Sequence, residues 1–82
     1  MGRSFKNKEE FTWSLYFGRN LQRTLHIYNM TQEELAKRLG VTQATISRYV
    51  CGLTTPSIYK VCLISQVIGC DISDLVKSTY ED

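Results

Sequence analysis

Apolar side chains recur along this chain at helical spacing, in short stripes punctuated by glycine and hydroxyl residues. The clearest stretch is residues 30–52, MTQEELAKRLGVTQATISRYVCG. Thr31 followed three residues later by Glu34 is a capping box, in which the threonine oxygen accepts a first-turn amide and the glutamate reaches back to the cap's own amide. Leu35, Ala36 and Leu39 then follow on one face, and Gly40 stands where a helix end needs a residue that tolerates positive φ. After a turn of about three to four residues, Thr42 caps a second short helix through Gln43, Ala44, Thr45, Ile46, Ser47, Arg48 and Tyr49. Only Ile46 in that helix reads plainly as core. Gln43, Ala44, Ser47 and Arg48 share one turn-spaced face of small or hydrogen-bonding side chains.

The flanking pattern supplies three more helices. Asn7, with Glu10 three residues on, suits the cap of a long first helix over residues 8–28, whose core stripe is Phe17, Leu21, Leu25 and Tyr28. Phe11, Trp13, Leu15 and Tyr16 exceed what one stripe can bury, so they either extend the core or form a contact surface. Gly18 weakens a helix interior by about 1 kcal/mol, which predicts a kink or a division there. Gly52 closes the third helix. Pro56 suits the first position of a fourth helix capped by Thr55, with Ser57 as the alternative cap. That helix reaches residue 68 with Val61, Ile64 and Ile68 inward and Ile58 and Cys62 beside them, and Gly69 ends it. A fifth helix over residues 71–76 begins at an acidic or hydroxyl cap and is anchored by Ile72 and Leu75. The pattern thus predicts an all-α, five-helix domain over residues 9–76, between an arm of residues 1–8 and a tail of residues 77–82.

With 82 residues the chain has room for one small core and no large catalytic pocket. The net charge of +2 is unevenly distributed: residues 1–70 carry nine Lys and Arg against four Glu, while residues 71–82 carry one Lys against four acids. A moderately basic body permits nucleic-acid binding without demanding it. No apolar run approaches membrane-span length, and MGRSFKNKEE lacks the apolar segment of a signal peptide, so a cytoplasmic protein is expected. Cys51, Cys62 and Cys70 are odd in number, show no C-x-x-C spacing and have no histidine nearby, so reduced, mostly buried thiols are expected rather than a disulfide or metal site. His26 stands alone and is expected on a solvated face. No glycine-rich phosphate loop, nucleophile and base pair or paired carboxylate suggests an enzyme, a cofactor or a small-molecule substrate.

Thr31-Gln32-x-x-Leu35-Ala36-x-x-x-Gly40-Val41-x-x-x-x-Ile46-Ser47, followed by Gly52, Pro56, Val61, Ile64, Ile68 and Leu75, resembles the Cro/C1-type helix-turn-helix regulators, also called XRE-like, over about residues 17–76. The resemblance implies a lambda-repressor-like fold with the helix-turn-helix at helices 2 and 3, double-stranded DNA as partner, and a transcriptional repressor acting as a homodimer. It implies base contacts by Gln43, Ala44, Ser47 and Arg48: glutamine matches adenine, arginine is bidentate to guanine, and alanine can meet a thymine methyl. It implies phosphate contacts by Gln32 and Thr42 at the two helix N-termini, with Lys37, Arg38 and Arg19 or Arg23 either joining them or remaining solvated surface charges. Relatives commonly place Lys or Arg just after the glycine at position 52. This chain offers Leu53, Thr54 and Thr55, so phosphate contact there falls to hydroxyls such as Thr54 and to backbone amides.

Two further departures stand out. Relatives often pair an arginine and a glutamate at the positions of Leu25 and Val50; here both are apolar, which avoids a stranded charge and predicts that the two touch. Tyr59, Leu63 and Val67 stand four apart on the fourth helix where relatives are usually polar, which makes either scattered surface apolars or a dimer surface. The other class of function that fits is a protein-interaction module, such as an antitoxin or an anti-repressor partner, using the aromatic first helix and the apolar fourth. Arg3, Lys6 and Lys8 make the first eight residues either a plain terminus or an arm that touches phosphates.

Overall fold

The computed structural model describes residues 8–77, with side chains from Glu10 onward, so the arm of residues 1–8 and the tail of residues 77–82 lie outside the described residues except at their inner ends. Five helices follow in order: α1 Lys8–Ile27, α2 Gln32–Leu39, α3 Gln43–Val50, α4 Ile58–Ile68 and α5 Ser73–Val76. No strand occurs among the described residues.

Local chemistry sets most of the boundaries. At α2 the capping box forms: Glu34 N donates to Thr31 Oγ1 at 3.0 Å, and Thr31 N donates to Glu34 Oε1 at 2.9 Å. At α3, Thr45 N donates to Thr42 Oγ1 at 3.3 Å. The cap of α4 is Ser57, whose Oγ accepts from Lys60 N at 3.1 Å, so of the two candidate caps the serine serves. Thr55 is turned away to Ser14, and Pro56 is buried ahead of the cap. The helix α5 starts later than expected, at Ser73, with Ile72 as a cap residue that makes no side-chain bond. A single αR residue there replaces the anticipated acidic or hydroxyl cap.

Phe17, Leu21 and Leu25 from α1, Leu35 and Ala36 from α2, Ile46 and Tyr49 from α3, Val61, Ile64 and Ile68 from α4 and Leu75 from α5 form one buried cluster. At ~1.5–3 kcal/mol per buried large apolar side chain, this cluster is the main source of stability. Tyr49 corrects the reading of Ile46 as sole core residue of its helix: its ring meets Phe17 edge-on, centroids 6.1 Å apart at 84°, and burial raises the pKa of its phenol. Tyr28 leaves the expected stripe and is exposed, because α1 ends at Ile27 and Asn29 turns the chain with φ +57°. The aromatic surplus divides: Trp13 stacks on Phe17 at 5.3 Å, whereas Phe11 and Leu15 are exposed. Ile58 and Ile72, expected to help anchor their helices, are also exposed. Leu25 is buried and Val50 half-buried against the same cluster.

The helix α1 runs unbroken through Gly18. The glycine is there for proximity: a Cβ at this position would lie 2.6 Å from the carbonyl oxygen of Tyr49 and closer still to that of Val50. A helix interior accepts the conformational cost of glycine where two backbones must meet. At the far end, buried Asn20 clasps α5, its Nδ2 donating to Leu75 O at 3.0 Å and Lys77 O at 2.7 Å while its Oδ1 accepts from Arg23 Nη2 at 2.9 Å.

Two stability predictions follow from these bonds. Asn20→Ala strands carbonyls that α5 turns inward and should lower unfolding free energy by about 1–3 kcal/mol in urea titration, with amide protection lost first in α5; an unchanged midpoint would contradict the clasp. The Thr31 amide holds the Glu34 carboxyl below its ordinary value, against a smaller opposing effect of desolvation and with help from the Thr31 hydroxyl, Arg38 and Lys37. The folded state thus favours the ionised form, so its contribution is complete above the unfolded pKa and lost as pH falls through the lower folded value. Glu34→Gln should be less stable than wild type at neutral pH, with the gap closing as pH drops below about 4.5. A gap independent of pH would show that the charge plays no part.

Candidate nucleic-acid interface

The pair α2 and α3 packs through Leu35 and Ala36 on one helix and Ile46 and Tyr49 on the other, all in the core. Their eight-residue lengths leave little else to hold them. Between them the chain turns through Gly40 at φ +76°, with Gly40 N donating to Lys37 O and Val41 N to Ala36 O. These bonds satisfy the last carbonyls of α2 and bring the next cap, Thr42, immediately into place.

With Ile46 and Tyr49 turned inward, α3 presents its other side to solvent. Gln43, Ala44 and Arg48 are exposed and Ser47 is half-buried. All four stand where the face was expected, at i, i+1, i+4 and i+5. Thr42 is exposed at the N-terminus, its hydroxyl engaged with the Thr45 amide and hydroxyl. No acid lies in the first turn of α3, so its amide end is electrostatically open to an anion. The first turn of α2 differs, because Glu33 and Glu34 stand there beside half-buried Gln32. Lys37 and Arg38 are exposed in the last turn of α2, and Arg19 is exposed on α1.

The two arginines offered as alternatives on α1 differ in environment. Arg23 is half-buried, bonded to Asn20 and lining a pocket of about 140 Å³ with Thr24, Ile27, Tyr28, Asp74 and Lys77, so it serves the seam between α1 and α5. Arg19, by contrast, is exposed.

The third helix ends at Cys51 and Gly52. Gly52 has φ +76°, Gly52 N donates to Tyr49 O and Leu53 N to Arg48 O, which together form a Schellman turn. Thr54 is half-buried beyond it, and Leu53 is 58% exposed. Two residues that shape this end, Ser14 and Gly18, were not legible as such; the one signal was a glycine inside an otherwise uninterrupted helical pattern, which marks a close approach as often as a break.

Other chemistry is sparse. Cys51 is exposed rather than buried, while Cys62 and Cys70 are half-buried. Burial pushes the Cys70 thiol up, and Asp74 and Asp71 add to the effect, so the reactive thiolate is disfavoured. Among the described residues no cluster of His, Cys, Asp or Glu could hold a metal ion, and no helix is long and apolar enough to cross a membrane.

On the fourth helix, Tyr59 is exposed, Leu63 is half-buried and Val67 packs against the core. Ile58, beside Tyr59 at the start of the helix, is 70% exposed.

Known proteins share this arrangement. The family model described as helix-turn-helix matches residues 28–75. An uncharacterized HTH-type transcriptional regulator, MJ0272, of Methanocaldococcus jannaschii is 42% identical over 56 residues, 68% of this chain and 82% of that protein. A second uncharacterized HTH-type transcriptional regulator, from Archaeoglobus fulgidus, is 44% identical over 48 residues, 58% of this chain and 68% of its own length. The solution structure of the SOS-response transcriptional repressor LexA from Eubacterium rectale superposes with a TM-score of 0.75 at 23% identity, covering 95% of this chain and 80% of that one, which establishes the shared fold. With the matched segment spanning both helices of the motif and α4 beyond them, the chain belongs to the Cro/C1-type helix-turn-helix family of transcriptional regulators.

Proposed function

We propose that this domain reads a specific sequence in duplex DNA by laying α3 in the major groove, and that it acts as a transcriptional repressor. The observation that carries this reading is the division of α3: Ile46 and Tyr49 are buried on one side, while Gln43, Ala44 and Arg48 stand exposed together on the other. A groove-inserted helix needs such a side, because base edges are read by hydrogen bonds and close apolar contact. Gln43 pairs with adenine, Arg48 with guanine N7 and O6, Ala44 with a thymine methyl, and Ser47 with a base or phosphate. Phosphates are held by Gln32, Thr42, Lys37, Arg38, Arg19 and Thr54. Of the two helix N-termini, that of α3 is the stronger phosphate seat, since Glu33 repels an anion near Gln32.

Binding as a dimer places two such helices in half-sites about one turn, ~34 Å, apart. The dimer surface in this reading is Tyr59 with Leu63, extended by Ile58; Val67 contributes only from beneath. A second reading draws on the same apolar surface. Leu53, Ile58 and Tyr59 are all more than half exposed, which suits a protein partner of the antitoxin or anti-repressor kind.

The test is selection of bound sequences from a random duplex pool at about 100 mM salt, a condition that limits nonspecific phosphate binding, with wild type and Arg48→Ala in parallel. A near-palindromic sequence should be enriched, and Arg48→Ala should relax one guanine preference per half-site at a cost of about 1–3 kcal/mol. If no sequence is enriched, or if the substitution leaves every preference intact, direct readout through α3 is wrong and the protein-partner reading takes its place.

A further inference from the structure

The first half of α1 meets the end of the recognition helix at three consecutive points. Ser14, Leu15 and Gly18 lie on one side of α1, at i, i+1 and i+4. Gly18 is buried, and a Cβ built on it would sit 2.6 Å from Tyr49 O and nearer to Val50 O, where contacts under 3.0 Å essentially never occur. Backbone therefore rests on backbone, with no side chain between that could rotate away. One turn earlier, Leu15 lies under Gly52, whose own Cβ would fall 2.7 Å from Leu15 Cδ2. Ser14, fully buried, shares a hydrogen bond with the hydroxyl of Thr55. Along the chain these contacts begin at the residue after Arg48 and enclose Thr54 between Gly52 and Thr55.

We propose that Gly18 is a positioning residue for DNA readout: with Ser14 it sets the height of the last turn of α3 and of the 52–55 turn, and thereby where Arg48 and Thr54 meet the duplex. The inference rests on the reading of α3 as the helix that enters the groove. Neither Gly18 nor Ser14 touches DNA in this arrangement. Any side chain at position 18 must push two carbonyl groups away, and those carbonyls belong to the residues immediately after Arg48. A bidentate arginine to guanine contact holds only within a narrow range of distance and angle, so a displacement of a few tenths of an ångström at the helix end weakens it. Contacts to phosphate by flexible side chains tolerate the same shift.

The experiment compares wild type, Gly18→Ala, Ser14→Ala and a core control, Ile64→Val, at temperatures where circular dichroism shows equal folded fractions. Each variant is put through duplex selection, and its affinity is measured for the wild-type consensus duplex and for a random duplex. The expected result is that Gly18→Ala binds the consensus roughly tenfold more weakly and loses the guanine preference assigned to Arg48, while random-duplex affinity changes by less than about threefold. Ser14→Ala should shift the same preference to a lesser degree, and Ile64→Val should leave the preference profile as in wild type. Wild-type profiles in both α1 variants would overturn the proposal, as would an equal loss in Ile64→Val, since loss of fold would then explain everything. Should Gly18→Ala fail to fold, Ser14→Ala decides by itself. If wild type enriches no sequence, the DNA reading has failed and the proposal with it. Enrichment by wild type with unchanged α1 variants sinks the proposal alone.

Discussion

Two eight-residue helices do not hold their shape in water by themselves. Helices below about 12–15 residues are marginal even with good composition, because nucleation consumes much of what their hydrogen bonds return. The helix-turn-helix therefore depends on burial of Leu35, Ala36, Ile46 and Tyr49 against α1 and α4. That dependence has a useful consequence. Once each short helix gives one side to the core, the opposite side of α3 is released from any packing requirement, and its side chains can be chosen for chemistry. The long α1 is the platform on which this division rests, with Phe17 meeting Tyr49 and Gly18 meeting the carbonyls that follow Arg48.

How much of this was legible in the sequence follows from the range of each interaction. Caps act over three residues, so Thr31 with Glu34 and Thr42 with Thr45 could be read directly, and the glycines at 40, 52 and 69 marked helix ends where positive φ is found. Interactions between residues far apart in the chain left weak traces. Ser14 meets Thr55 across 41 positions and Asn20 meets Leu75 across 55, and neither pair has a local pattern. The choice between Thr55 and Ser57 as cap of α4 turned on the first of those contacts, since a hydroxyl held by Ser14 is not available to a helix end. Gly18 read as a flaw in a helix because propensity weighs a residue by itself, whereas its value lies in what it lets approach. Tyr49 was missed as core because a phenol reads as amphipathic until a partner such as Phe17 is known. Tyr28, Ile58 and Ile72 err in the opposite direction: α1 ends one residue before Tyr28 and α5 begins one residue after Ile72, while Ile58 is the first residue of α4 and stays exposed there.

On α3, Gln43, Ala44 and Arg48 are exposed and Ser47 is half-buried, because turn spacing determines which residues share a side once the inward ones are fixed. The cations were harder, since a lysine or arginine on a surface has no periodic signature; Arg23 proved to belong to the α5 seam through Asn20. After the third helix Leu53 is exposed, as are Ile58 and Tyr59 at the start of α4.

The central claim is that α3 enters the groove while the exposed apolar residues Leu53, Ile58 and Tyr59 do not. Amide chemical-shift mapping on the isotopically labelled chain, titrated with the duplex it enriches from a random pool, tests this most directly. The account predicts the largest shifts at Thr42, Gln43, Ala44, Ser47 and Arg48, with smaller ones at Gln32 and Thr54. Shifts confined to Leu53, Ile58 and Tyr59, with α3 silent, would contradict it.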